Sequence, residues 1–314
     1  MNYLLYDKPE GVTSFEALYP IKRALGSGKV GHTGTLDKFA SGLLVVLEGR
    51  ALKLARFFSG CSKRYIAAVR FGQETETLDP EGRVIAQAPP PTPAALEAAL
   101  PAFRGQIMQT PPLYSAVHID GKRAHKLARK RAASGGAPDG TDCAFAATGA
   151  DGADLEARIT ARPVTIHSLD LLSYSPEPQT DFYSAVISVH CTSGTYIRSL
   201  ARDIARACGS RASLSALRRL SVGGFSVDAA YSGTPPFPFR RVDADCFAKL
   251  GINVQNIDAG VRAAFRYGRP LSAIDGISLP KDARTIAFFC EDTLAAVIEK
   301  EKGNWKYAFV NAGE

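Results

Sequence analysis

One acidic residue, Asp37, stands in the segment Gly31-His32-Thr33-Gly34-Thr35-Leu36-Asp37-Lys38-Phe39-Ala40-Ser41-Gly42-Leu43-Leu44, among three glycines and three hydroxyl side chains. Glycine permits tight turns and close approach of main chain to a ligand. Short polar side chains hold such turns by bonding their amides. A carboxylate presented this way can act as a nucleophile or as a base. The same string also fits a surface turn whose aspartate caps a helix. The residues alone leave both readings open.

Other candidates lie further along. Tyr65 falls in an alternating stretch, Arg64 to Phe71, that reads as a strand with Tyr65, Ala67 and Val69 on one face. Arg198, Arg202 and Arg206 recur every four residues in a helical pattern from about Thr195 to Cys208, closed by Gly209. Spacing alone fits three solvated arginines. The densest basic run is Lys122-Arg123-Ala124-His125-Lys126-Leu127-Ala128-Arg129-Lys130-Arg131. It reads either as a solvated helix face or as a surface for an RNA backbone, which Lys122, Arg123, Lys126, Arg129 and Lys130 would contact.

Six blocks in order resemble the TruB family of tRNA pseudouridine synthases. Gly31 to Leu44 is similar to its catalytic motif, and Asp7-Lys8-Pro9-Glu10-Gly11 to its lysine-proline motif. Lys63-Arg64-Tyr65 and Gly72-Gln73-Glu74-Thr75-Glu76-Thr77-Leu78-Asp79 follow. Ser193-Gly194-Thr195-Tyr196-Ile197-Arg198 and Leu217-Arg218-Arg219-Leu220 complete the set. The likeness covers residues 1–130 and 162–228 well and the C-terminal region weakly.

The resemblance implies an isomerase that turns uridine into pseudouridine at position 55, in the T-arm of tRNA. The reaction breaks N1–C1′ and joins C5 to C1′, so it needs no cofactor and no metal. A stacked base is out of reach, so it is flipped out of the helix. Asp37 is then the nucleophile, attacking C1′ or assisting a route through a glycal. Arg198 keeps that carboxylate ionised, and Tyr65 stacks on the detached base. Leu217 walls the base pocket, and His32 fills space beside the base or bonds the RNA. Lys8 supports the loop or meets a phosphate, and Tyr196 packs behind Arg198. Two positions depart from the pattern: Lys38 stands where proline is usual, and Glu76 replaces an aspartate. The rival readings are a tRNA-folding or RNA-binding protein without catalysis, and a synthase that acts on another RNA.

Composition is consistent with this. The net charge of +7 and pI near 9.1 favour a polyanionic partner, here tRNA. No apolar run reaches the about 18 residues that span a bilayer. The start of the chain lacks the features of a signal peptide. The chain therefore reads as cytoplasmic with no membrane partner; a monomer is the expectation for its oligomeric state, which the residues do not themselves determine. Its six cysteines are scattered with no C-x-x-C pair, which gives no zinc pattern.

The elements that must position these residues can be read coarsely. Residues 1–30 read as a strand, a turn and an amphipathic helix through Leu18, Ile21 and Leu25, capped by Thr13 or Ser14. Pro93 to Phe103 reads as one helix. Residues 132–161 are rich in small residues and read as a flexible insertion. The proline-rich stretch Thr234 to Pro238 reads as a linker. The expectation is an α+β pseudouridine synthase fold over residues 1–233, with a mixed, largely antiparallel sheet flanked by helices. A small β-rich domain, PUA-like in the family, follows over residues 240–314. Its strands read as Thr285 to Cys290, Leu294 to Ile298 and Trp305 to Val310.

Overall fold

The computed structural model describes residues 1–26, 28–115, 117–119, 122–124, 158–177 and 180–311. The chain forms two compact units, one of Met1–Lys63 with Arg219–Glu314 and one of Arg64–Arg218.

Unit 1 is built on β1 (Asn2–Lys8), β2 (Val30–His32) and β3 (Ser41–Glu48). β1 and β2 both pair antiparallel with β3, in registers Lys8↔Gly42 and His32↔Val46. Leu43 to Leu47 are all fully buried, because β3 is covered on both faces. Strand alternation sends its side chains to two cores. Leu43, Val45 and Leu47 join Tyr3, Leu5, Phe58 and Phe225. Leu44 and Val46 join Leu4, Tyr6, Leu18 and Ile21. The short helix Tyr19–Leu25 covers that second face, after a turn of 3-10 helix at Glu16–Leu18.

Unit 2 begins in β4 (Lys63–Phe71), followed by the β5 (Gln73–Thr75) and β6 (Val84–Gln87) pair. β7 (Gly105–Gln109), β8 (His118–Ile119) and β9 (Lys122–Arg123) come next, then β10 (Arg162–Pro176) and β11 (Tyr183–Cys191). β10 is antiparallel to both β7 and β11. β12 (Ala212–Val222) starts in this unit and completes the order β12-β4-β11-β10-β7. Tyr65, Ala67 and Val69 are buried, as are Ala185, Ile187 and Val189 on β11, as alternation requires. The helix Ile197–Ala207 sets Ala201 and Ile204 among Val69, Phe71, Leu96 and Leu100. The single helix expected from Pro93 stops at Ala99 and continues as 3-10 helix over Leu100–Phe103. Pro101 lacks the N–H that an α-helix would use there.

The chain returns to unit 1 through the last residues of β12, with β13 (Phe225–Ser226) paired to them and β14 (Arg240–Arg241) paired to β1. β15 (Asn253–Asn256), β16 (Thr285–Cys290), β17 (Thr293–Glu301) and β18 (Asn304–Val310) form a four-stranded sheet. β15 is parallel to β16, and the other pairs are antiparallel. Ala287, Phe289 and Val297 enter the core of Tyr3 and Leu43. Ile286, Phe288 and Ile298 pack on Val261 and Phe265 of the helix Ala259–Arg266. The compact units thus divide the chain differently from the linker at Thr234 to Pro238, because this sheet shares a core with β1 and β3. The mixed, largely antiparallel architecture with helices and a β-rich C-terminal sheet is the one expected.

Ala124 and Ile159 pack together in a small apolar cluster with Leu113 and Val117. Most of the insertion read at 132–161 lies outside the described residues, as do Lys126, Arg129 and Lys130. Among the described residues no helix is long and apolar enough to cross a membrane.

Candidate active site

The segment around Asp37 joins β2 to β3 and is held from three sides. Ser14 is buried, and its Oγ accepts the Leu36 N–H at 2.8 Å and donates to the Leu36 carbonyl at 3.0 Å. Gly11 N–H donates to the Lys38 carbonyl at 2.9 Å. Residues on both sides of Asp37 are therefore fastened to the turn after β1. Thr13 takes the cap that either hydroxyl residue could have supplied: its Oγ1 accepts the Glu16 N–H, and Glu16 Oε2 accepts the Thr13 N–H. That frees Ser14 for the loop. Lys38 is exposed, so the charge that replaces proline points to water.

The third fastening is Arg219, only 1% exposed. Its Nε donates to the Leu43 carbonyl at 2.7 Å and its Nη2 to the Gly34 carbonyl at 3.1 Å. Main chain of Arg219 also lies against Gly42, which has φ +107°. A Cβ at Gly42 would lie 2.3 Å from the Arg219 carbonyl oxygen. Only glycine fits both the dihedral and the approach.

Lys8 is completely buried, and its ammonium donates to the carbonyls of Pro9 at 2.8 Å and Val12 at 2.7 Å. Burial draws its pKa down to about 8, while the charge of Asp37 opposes that shift. An ammonium enclosed this way supports the turn and is not presented to a phosphate. His32 ends β2, and burial, then the positive charge of Arg219, lowers its pKa. Its Nδ1 is buried with no hydrogen-bond partner among the described residues. Lys8, His32, Asp37 and Arg219 thus share one electrostatic neighbourhood in unit 1.

Removing the Ser14 hydroxyl leaves the Leu36 N–H buried and unsatisfied, which costs about 1–3 kcal/mol. Ser14→Ala is expected to lower the unfolding midpoint accordingly. A midpoint equal to wild type in chemical denaturation would show that the clamp contributes nothing.

Unit 2 carries the other candidates. Tyr65 on β4 and Leu217 on β12 are 8% and 7% exposed. Arg198, in the first turn of the helix Ile197–Ala207, is 4% exposed. Its Nη1 donates to the Thr77 carbonyl at 2.7 Å and to Asp79 Oδ2 at 3.2 Å, and its Nη2 to the Tyr114 carbonyl at 3.1 Å. A buried guanidinium needs such partners. Asp79 is held in turn by the Thr77 hydroxyl and the Glu81 N–H. Leu78, between Thr77 and Asp79, has φ +61°, an uncommon value for leucine. The turn is therefore strained where it meets the arginine. Glu76 accepts from the Tyr114 hydroxyl and from Arg83 Nε.

Tyr196 is the residue before the helix. Its N–H donates to Gln109 Oε1 at 2.8 Å, and its carbonyl accepts from Gln109 Nε2 at 3.1 Å. The Arg162 guanidinium lies over its ring at 5.2 Å. Arg202 is also buried, bonded to Asp203 and to the Thr110 carbonyl, while Arg206 bonds Glu74. Arg198 and Arg202 are therefore buried, while Arg206 is exposed at the end of the row. Of the basic run, Lys122 and Arg123 form β9, paired with His118 and Ile119.

The sequence pattern gave no role to Gln109, Asp79 or Arg219, and offered Ser14 only as an alternative helix cap. Asp79 and Arg219 stood inside quoted blocks. Ser14 was visible only as a second hydroxyl beside a helix start. No group of three or more His, Cys, Asp or Glu that could hold a metal occurs among the described residues.

Residues 22–137 match the family model described as TruB family pseudouridylate synthase, N-terminal domain. A "tRNA pseudouridine synthase B" of Borreliella burgdorferi is 42% identical over 227 residues, 71% of this chain and 70% of that protein. The chain belongs to the TruB family. A protein of the same name from Borrelia garinii subsp. bavariensis is 41% identical over 308 residues, 91% of this chain and 99% of its own length. That likeness takes in most of the chain. Among solved structures, a chain in "Structure of H/ACA RNP bound to a substrate RNA containing 2'-deoxyuridine" aligns with TM-score 0.63 and 20% identity. That alignment covers 95% of this chain and 77% of the other, and it supports the fold.

Proposed function

We propose that this chain isomerises uridine to pseudouridine in the T-arm of tRNA, at position 55, with Asp37 as the catalytic carboxylate. The observation that carries the reading is the fastening of the Asp37 segment by Ser14, Gly11 and Arg219, in a chain of this family. A loop held this way can present one carboxylate to a flipped nucleotide without rearrangement, and such positioning contributes to rate. The relatives' names, tRNA pseudouridine synthase B, support tRNA as the substrate.

In this reading the N1–C1′ bond breaks, the base turns, and C5 joins C1′. N1 gains a proton as C5 loses one, so the atoms balance with no co-reactant. Asp37 attacks C1′ or assists a glycal route. Tyr65 stacks on the detached base, an interaction worth about 1–3 kcal/mol by alanine substitution in single-strand binders. Arg198 favours the ionised form of the reacting carboxylate. Leu217 walls the base, His32 borders it, and Tyr196 with Gln109 fixes the helix start behind Arg198. Lys8 supports the turn. Lys122, Arg123, Lys126, Arg129 and Lys130 contact the RNA backbone. Residues 1–233 carry the reaction, and residues 240–314 form an RNA-binding module.

Pseudouridine mapping on total tRNA incubated with the protein tests the assignment. Product at position 55 in the T-arm is expected; product only at other uridines would refute the site, and none at all the activity. Arg198→Lys is expected to be poorly active, since lysine lacks the planar fork. Tyr65→Phe, which keeps the stacking face, should retain more turnover than Tyr65→Ala. A fully active Arg198→Lys enzyme would remove the arginine from the mechanism.

A further inference from the structure

We propose that Glu76 is a positioning residue for Arg198 and acts through Tyr114. The role rests on the place assigned above to Arg198, beside the reacting carboxylate. Arg198 finds its acceptors in two segments far apart in the chain. Its Nη1 donates to the Thr77 carbonyl at 2.7 Å and to Asp79 Oδ2 at 3.2 Å, and its Nη2 to the Tyr114 carbonyl at 3.1 Å. A planar guanidinium keeps one aim only while both segments are fixed relative to each other. Glu76, the residue that departs from the family's aspartate, ties the two together.

One oxygen of its carboxylate, Oε1, accepts from the Tyr114 hydroxyl. The other accepts from Arg83 Nε at 3.1 Å, and the Glu76 N–H donates to the Arg83 carbonyl at 2.9 Å. The carboxylate is therefore anchored on the β5–β6 side, next to Thr77, and reaches Tyr114 from there. Tyr114 is held twice, by its hydroxyl on Glu76 and by its carbonyl on Arg198. A hydroxyl bonded to a carboxylate is held more firmly than one bonded to a neutral acceptor. The tie also meets a local need. Leu78 lies between Thr77 and Asp79 at φ +61°, so the turn that aims Arg198 is strained and depends on its surroundings.

Single-turnover conversion of a T-arm transcript, tRNA affinity and the pH–rate profile are compared among the full-length wild type, Glu76→Ala, Glu76→Gln, Tyr114→Phe and the E76A/Y114F double variant. Glu76→Ala and Tyr114→Phe are each expected to slow conversion about tenfold while tRNA affinity holds, since a misaimed group costs rate. The double variant should be no slower than Glu76→Ala, because both changes remove one bond. Glu76→Gln keeps the reach and an acceptor oxygen, and should recover most of the rate. In the slow variants the acid limb of the profile moves to higher pH, because a displaced guanidinium no longer favours the ionised carboxylate. A purely structural role would leave that limb in place. Wild-type rates in both single variants, losses that add in the double variant, or an unmoved acid limb overturn the proposal. If Glu76→Ala fails to fold, Tyr114→Phe decides alone, since it removes one oxygen and keeps the ring. A fully active Arg198→Lys enzyme would remove the role of Arg198 and that of Glu76 together. An impaired Arg198→Lys beside unaffected Glu76→Ala and Tyr114→Phe would remove that of Glu76 alone.

Discussion

Asp37→Asn is expected to abolish pseudouridine formation while leaving tRNA affinity within about tenfold of wild type, because affinity rests mainly on phosphate contacts. The substitution exchanges one carboxylate oxygen for an amide nitrogen and keeps the side-chain volume. The main-chain bonds that fix the segment are untouched: the Asp37 carbonyl still accepts the Ala40 N–H, and Leu36 and Lys38 keep Ser14 and Gly11. An amide is a poor nucleophile and a poor base, so either route through Asp37 stops. Single-turnover conversion of a T-arm transcript, followed alongside binding, separates the two quantities. Conversion near the wild-type rate would exclude Asp37 from the chemistry. Lost binding with lost conversion would make its role structural.

Gly42→Ala is expected to be the most damaging single methyl group in unit 1. Its φ of +107° disfavours any side chain, and strain of that kind costs about 1–3 kcal/mol. The added Cβ would also lie 2.3 Å and 2.7 Å from the carbonyl oxygen and nitrogen of Arg219, so main chain must move. Overpacking adds about 1–3 kcal/mol. Together these consume a large part of the about 5–15 kcal/mol that holds a typical protein folded. A fall in melting temperature on the order of 10 °C follows. Gly49→Ala is the matched control, with φ +57° and nothing within 4 Å of its Cβ position. It should lose only the dihedral strain. Equal losses in the two variants would show that the close approach of Arg219 is not what requires glycine.

Much of the architecture was legible in the residues. Alternation in Arg64 to Phe71 marked β4, since that strand has one buried face. The three C-terminal strands were read nearly to their ends. The helices Ala244–Lys249 and Ala259–Arg266 were not, although Asp243 and Asp258 cap them as such residues do. In the site, Asp37 stood out because an acid among glycines is unusual. Arg219 did not, because its acceptors, the carbonyls of Gly34 and Leu43, are set by the fold and not by local pattern. Ser14 and Thr13 are interchangeable on paper, and only the position of Leu36 distinguishes them. Lys8 before a proline resembles a surface residue, and its burial depends on two carbonyls of its own turn.

The means by which the Asp37 segment is held also bear on how the protein responds to acid. A serine hydroxyl, a glycine amide and a guanidinium do not change protonation between mildly acidic and neutral pH. The titrating fastener is Lys8, whose pKa is lowered by burial to about 8. An amine with a depressed folded pKa favours the native state more as pH rises from that value toward its unfolded one, so alkali does not release the turn. The Ser14, Gly11 and Arg219 bonds to the Asp37 segment therefore keep their protonation where carboxylates and histidines change charge. Activity lost on acidification belongs to the groups that meet the nucleotide, and the acid limb of a pH–rate profile becomes a direct reading of the reacting ensemble.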